Sequence, residues 1–217
     1  LNGDPEVELQ IIATGTHLSE KFGMTIRGIE ADGFNVNARV PMQTEDESSL
    51  GITRALGGVT SGIGEALARL QPDLVVLLGD RFEILGAAQA ALIARIPIAH
   101  IHGGESTEGA VDEAIRHSIT KMAHLHFVAA DEFRQRVIQL GEKPQHVWTV
   151  GAAGLDNVAR IGLLTRDELE SALNIEIKPP FFVFTYHPVT LDNSAQGAQV
   201  CRLLEVLSEF GGSIIIT

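Results

Sequence analysis

The chain has 217 residues, a single cysteine, 16 Lys and Arg against 28 Asp and Glu, and a formal charge of −12. That length can bury a real core, and one cysteine excludes a disulfide scaffold or a Cys-based zinc module and fits a reducing, cytoplasmic setting. An acidic balance with no basic cluster and no apolar run near the ~18 residues of a membrane span argues against nucleic acid or a membrane as partner.

Taken in chain order, the apolar residues alternate between two periods. Residues 7–13 read as a strand closed by Thr14-Gly15-Thr16, residues 19–31 as a helix capped by Ser19 and stopped at Gly33, and residues 34–40 as a second strand. Residues 48–70 form the longest helical stretch, although Gly57, Gly58, Gly62 and Gly64 each weaken it by about 1 kcal/mol relative to Ala. Residues 73–78 are a continuous apolar run ended by Gly79-Asp80, followed by a helix at 81–94 and a strand at 96–101 that runs into His102-Gly103-Gly104. A helix at 111–123, a strand at 125–129, a helix at 131–140 and a strand at 147–150 come next. A helix at 166–173 precedes Lys178-Pro179-Pro180, after which the pattern restarts as a strand at 181–185, a helix at 195–209 and a strand at 213–217. Strands apolar throughout imply parallel sheets covered on both faces by helices, an α/β fold. The proline pair is the expected domain boundary, dividing 1–178 from 179–217. The opening Gly3-Asp4-Pro5-Glu6 loop and the apolar final run both read as interior to a longer protein.

In open parallel sheets the ligand crevice lies beyond the carboxyl ends of the strands. The polar residues expected there are His17, Asp80 and Arg81, His100, His102 and Glu105, and His187. Asp80 taken alone reads as a cap for the helix that follows; beside Arg81 it reads as an acid/base carboxylate with a phosphate-facing guanidinium. His100 and His102 share a face if their strand continues, which makes a metal site conceivable, but two adjacent glycines favour a backbone-lined ligand pocket and His100 reads best as a hydrogen-bonded core residue. Asp112 and Glu113 open a helix where its dipole stabilises them, and Arg116 falls four residues after Asp112, the spacing of a surface pair. With Glu105 and His117 they nevertheless crowd carboxylates and imidazoles at one sheet edge, where pKa values split into one acid and one base, as proton abstraction from a weakly acidic C–H requires. No dinucleotide fingerprint, phosphate-binding loop or nucleophile elbow is present in the sequence.

The stretches GDRFEI at 79–84 and IPIAHIHGGESTEGAVDEAIRHSITKMAHLHFVAADEFRQRVIQLGE at 96–142 resemble the UDP-N-acetylglucosamine 2-epimerases. TGTHLSEKFG at 14–23 and FTYHPVTLD at 184–192 match in order and spacing. The likeness is strongest to the hydrolysing branch, which makes N-acetylmannosamine and UDP for sialic acid synthesis. The resemblance implies a glycosyltransferase-B-like architecture of two Rossmann-like domains, with 1–178 as most of the catalytic domain, lacking its first strand, and 179–217 as the opening of the nucleotide-binding domain. It implies Asp80, Asp112 and Glu113 in proton transfer, His102 and Glu105 in support, His187 with Arg81 near the diphosphate, Arg116 orienting these carboxylates or contacting substrate, and His17 and His117 as substrate contacts. Many members carry Glu at the position of His102, so an imidazole or Glu105 takes over that carboxylate's work here. No cofactor and no metal is implied, and a homo-oligomer, dimer or tetramer, is expected by analogy. The competing expectations are a non-hydrolysing epimerase, an enzyme for a UDP-diacetamido sugar, a catalytically silent UDP-sugar-binding module, and a metal hydrolase using His100 and His102.

Overall fold

In a computed structural model of the chain, residues 1–42, 46, 48–186, 196–209 and 211–216 are described. They fall into two compact units, one of residues 1–107 with 112–152 and one of residues 108–111 with 153–217.

The first unit alternates strand and helix: β1 (Ile11–Thr14), α1 (Ile26–Ala31), β2 (Val36–Val40), α2 (Ser49–Leu70), β3 (Val75–Leu78), α3 (Phe82–Ala94), β4 (Ile98–Ile101), α4 (Val111–Met122), β5 (Leu125–Val128), α5 (Asp131–Gln139) and β6 (Val147–Thr149). Every strand pair is parallel, but the strands divide into β1-β2 and β3-β4-β5-β6. Both sheets contribute to one core. Ala38 and Val40 of β2, Leu77 of β3 and Ile98 of β4 join Val59, Ile63, Ala66 and Leu67 of α2 and the alanines of α3. A smaller cluster of Val128, Val137 and Val147 seats α5 against β5 and β6.

The spacing of Ala55, Val59, Ile63, Ala66 and Leu67 puts one apolar stripe of α2 on that core. Ser48 caps the helix by accepting from the Gly51 amide at 3.1 Å. Two of the glycines in these helices have a packing reason: a Cβ at Gly62 would collide with Val40, and one at Gly86 of α3 would sit 3.0 Å from Thr60 Oγ1. Their cost in helix propensity is thus offset by close approach of α2 to β2 and α3.

Two expectations change. The helix expected at 19–31 is interrupted: a 3-10 turn at Glu20–Phe22 ends at Gly23 and Met24, both with positive φ (83° and 47°), and α1 starts only at Ile26. Burial is also not continuous along β3, where Val76 and Leu78 are exposed while Leu77 faces the core.

The second unit contains α6 (Leu155–Arg160), which the sequence pattern missed, α7 (Arg166–Leu173), β7 (Phe181–Phe184), α8 (Gln196–Ser208) and β8 (Ser213–Ile216). β7 and β8 pair in parallel, as a βαβ unit requires. α7 starts in a capping box between Thr165 and Glu168, which together satisfy donors at the helix start.

Candidate active site

The polar residues at the carboxyl ends of β3 and β4 and on α4 form one connected network. β3 ends at Gly79, whose φ of 84° turns the chain sharply and carries Asp80 out of the sheet. Asp80 does not cap α3, whose N-cap Arg81 makes no side-chain capping bond. Its carboxylate instead accepts from Arg116 Nη2.

Arg116 does not form the expected surface pair with Asp112. It points inward, 4% exposed, and also donates to the Glu105 carbonyl at 2.8 Å and to Thr107 Oγ1 at 3.0 Å. One guanidinium therefore ties the end of β3, the loop after β4 and α4 together. A forked, always-charged donor set suits this better than an ammonium.

His102 lies just past β4 in the left-handed region, with φ 65°, and its amide donates to the Phe127 carbonyl at 2.9 Å. That turn separates it from His100, so the two imidazoles do not share a target. His102 Nδ1 donates to Glu105 Oε1 at 2.7 Å, which leaves Nε2 as the nitrogen that can carry a proton. Among the described residues, no group of three or more His, Cys, Asp or Glu is arranged to hold a metal ion.

Glu113 accepts from the Thr107 amide at 2.7 Å and from Ser106 Oγ at 3.0 Å. These bonds, the backbone one first, hold its pKa below the usual range. Its carboxylate thus anchors the loop at 106–107. His117 Nε2 stands 3.8 Å from it, and His117 Nδ1 is buried without a hydrogen-bond partner among the described residues. Asp112 is half-buried in the first turn of α4 and makes no hydrogen bond or ion pair among the described residues.

His100 is fully buried, as its sequence context suggested. Its Nε2 donates to the Gly79 carbonyl at 2.9 Å, and Nδ1 lies 3.2 Å from Thr120 Oγ1. Burial pushes its pKa down to about 4, against the opposing pull of the Gly79 carbonyl. The Gly103-Gly104 turn is tightly packed where side chains would stand. A Cβ on Gly103 would sit 3.0 Å from Thr120 Oγ1, and one on Gly104 would strike the Phe133 carbonyl and lie 2.8 Å from Val137 Cγ2. Both glycines exist to let α4 and α5 approach.

Arg81 pairs through Nε with Glu83 Oε1 at 2.8 Å while its own side chain stays largely exposed. Glu83, which the sequence did not single out, is buried beneath Gly15 at the end of β1, where a Cβ would lie 2.7 Å from Oε1. His17 follows in the 3-10 turn Gly15–Leu18 and bonds Thr25 Oγ1 at 2.7 Å. It shares no hydrogen bond with the Asp80 network among the described residues. His187 lies outside the described residues. Thr107 was also missed, and no sequence signal marks it, because its role depends on where the loop after β4 returns to α4.

Comparison with known proteins gives the family and the fold. The family model described as UDP-N-acetylglucosamine 2-epimerase matches residues 1–217. A Campylobacter jejuni protein named GDP/UDP-N,N'-diacetylbacillosamine 2-epimerase (hydrolyzing) is 36% identical over 216 residues, covering 100% of this chain and 56% of that protein. An Escherichia coli polysialic acid biosynthesis protein is 39% identical over 210 residues, covering 97% of this chain and 54% of its own. A Neisseria meningitidis UDP-GlcNAc 2-epimerase solved with UDP-GlcNAc bound superposes with a TM-score of 0.82 at 17% identity, over 100% of this chain and 59% of that one. The chain therefore has the α/β, glycosyltransferase-B-like fold expected of it and spans about half the length of the relatives it matches.

Proposed function

Since this chain belongs to the UDP-N-acetylglucosamine 2-epimerase family, we propose that the protein is a hydrolysing 2-epimerase of a UDP-2-acetamido sugar, taking UDP-N-acetylglucosamine and water to N-acetylmannosamine and UDP. The observation that carries this reading is the Arg116 hub, which holds Asp80 beside the loop bearing the His102–Glu105 pair.

The C2 proton of an acetamido sugar is only weakly acidic, so its removal has to be coupled to loss of a good leaving group. A base takes the C2 proton, the electron pair forms the C1–C2 double bond, and the C1–O bond to the diphosphate breaks, giving a 2-acetamidoglucal and UDP. Water then adds at C1 while C2 receives a proton from the opposite face, releasing the 2-epimer. Such a sequence needs an oriented carboxylate, a second proton carrier and cations for the departing diphosphate. Asp80, oriented by Arg116, and Asp112 are assigned the carboxylate work. His102, oriented by Glu105, is the proton carrier through Nε2, in the manner of any imidazole fixed by a carboxylate at Nδ1. Glu113 shapes the loop. Arg81 and His187 are assigned to the diphosphate, and His17 and His117 to substrate contacts. The reading needs no cofactor and no metal, and it places a homo-oligomeric enzyme in the cytoplasm; among the described residues no helix is long and apolar enough to cross a membrane.

A second substrate is favoured by the Campylobacter relative, whose name specifies N,N'-diacetylbacillosamine; the Escherichia coli relative's name points to polysialic acid instead. The whole protein, incubated in deuterated water with each UDP-sugar in turn, is expected to release UDP and a free 2-epimer carrying deuterium at C2. Turnover of the diacetamido substrate alone transfers the assignment to that sugar. An epimerised sugar still attached to UDP would make the enzyme non-hydrolysing, and UDP binding without turnover would leave a silent binding module.

A further inference from the structure

His100 is closed off from solvent and makes no hydrogen bond to His102 or Glu105, yet it bonds to both halves of the site. On one side Nε2 donates to the carbonyl of Gly79, the residue immediately before Asp80 and the one whose positive φ sets the direction of that carboxylate. On the other, Nδ1 meets Thr120 Oγ1 on α4, one helical turn after Arg116. The ring thus closes a circuit that runs from Asp80 to Arg116, along α4 to Thr120, through the imidazole to Gly79 and back to Asp80. Gly103 leaves the space: any side chain there would crowd both Nδ1 of the ring and the Thr120 hydroxyl.

The proton arithmetic fixes the ring's state. The Gly79 carbonyl can only accept, so Nε2 carries a hydrogen, and in a neutral imidazole Nδ1 is then an acceptor. Thr120 has one hydroxyl proton and two acceptors in reach, Nδ1 at 3.2 Å and the Arg116 carbonyl at 3.0 Å. The Arg116 carbonyl keeps a second lone pair beside its helical amide and accepts from the hydroxyl, so the one proton is shared between that carbonyl and Nδ1.

We propose that His100 is a positioning residue for the reaction. By fixing the Gly79 carbonyl and the Thr120 hydroxyl in one rigid ring, it sets the distance between the carboxylate of Asp80 and the guanidinium of Arg116. The proposal rests on the reading of Asp80 as a proton-transfer carboxylate. It predicts that His100 acts on the chemical step and hardly on substrate binding, since the ring lies behind the site.

Gln at this position carries an amide hydrogen to about where Nε2–H stands, whereas Asn reaches only as far as Nδ1. In the whole protein, His100→Asn is therefore expected to lower kcat by ~10–100-fold, the scale of an ångström-sized misplacement, with KM for the UDP-sugar moving less than about 3-fold. His100→Gln is expected to recover kcat to within about 5-fold of the original. In the Asp80→Asn background His100→Asn should cost less than about 2-fold more, because a residue acting through Asp80 has nothing left to position. If His100→Asn does not fold, Thr120→Val, which removes only the hydroxyl, is carried through the same cycle. At neutral pH the 15N spectrum of the ring is expected to show the Nε2–H tautomer.

A Gln variant no better than Asn overturns the proposal, as does a His100 effect that multiplies the Asp80 effect in full, or a ring found protonated at Nδ1 alone. Each of these leaves the functional reading standing. A whole protein that turns over no UDP-acetamido sugar overturns both.

Discussion

Replacing Arg116 by Met tests whether the site is organised as described. Met fills most of the Arg volume and lies equally well in a helix, so the change removes charge and donors and leaves little cavity. Three contacts vanish: the ion pair with Asp80 and the bonds to the Glu105 carbonyl and Thr107 Oγ1. A fully buried carboxylate deprived of its partner costs about 3–5 kcal/mol, but the Asp80 side chain is 26% exposed and water re-solvates part of it. Allowing about 1–2 kcal/mol for Asp80 and about 1 kcal/mol for each remaining acceptor gives a loss of roughly 3–4 kcal/mol. The single Trp148, stacked on Phe127 with ring centroids 5.3 Å apart, reports on the sheet of this unit, so urea unfolding followed by its fluorescence measures the loss. Turnover should fall at least ~100-fold, since Asp80 loses its orientation. Arg116→Lys restores a charge but not the fork, and should recover under half of the stability. A Met variant within about 0.5 kcal/mol of the original and with unchanged kcat refutes the hub.

Asp80→Asn should lower turnover by orders of magnitude while UDP affinity holds, as isothermal titration and initial rates together would show; near-normal rates would remove Asp80 from the chemistry. Gly104→Ala should destabilise by roughly 3 kcal/mol, about 1 for its positive φ and the rest for overlap with Phe133 and Val137, whereas Gly151→Ala, equally left-handed but with open space around it, should cost only about 1 kcal/mol; equal losses in denaturant titrations would contradict the packing argument. His100 remains neutral in the fold down to about pH 4 while the unfolded chain takes up a proton near 6.5, so the unfolded state binds more protons between those values and stability falls as pH falls through them, by about 3 kcal/mol in all. His126, buried beside Glu142, is shifted in the same direction. His100→Gln should therefore flatten only His100's share of the acid limb in unfolding free energies measured from pH 7 to 4.5, and an unchanged slope would mean that His100 is not held neutral.

The apolar runs made the parallel strands legible, and Asp80, His102 and Glu105 could be read because each stands where a strand ends. Spacing could not give the direction of Arg116, although the family resemblance implied a role in orienting carboxylates or contacting substrate. Its spacing from Asp112 satisfies a surface pair equally well, and only the return of α4 over β3 puts Asp80 within its reach. The same holds for Thr107 and for the bond from His100 to Gly79, which join segments far apart in sequence. The break at Gly23 and Met24 went unread because helical spacing continues through it, and Met is a rare choice for a left-handed residue. Burial of Glu83 under Gly15 depends on β1 meeting α3, a contact with no periodic signature.

The left-handed backbone at His102 also narrows the alphabet open to natural variation at that point of the chain. Gly, Asn and Asp enter such a conformation at small cost and β-branched side chains do not. A change of proton-carrying group there is filtered by torsion before it is filtered by chemistry. In a saturation library at position 102 selected only for expression, Asn, Asp and Gly should be enriched and Val, Ile and Thr depleted. Selection for turnover would then act on an already biased pool, and new substrate preferences should arise more readily at Glu105, whose backbone imposes no such filter.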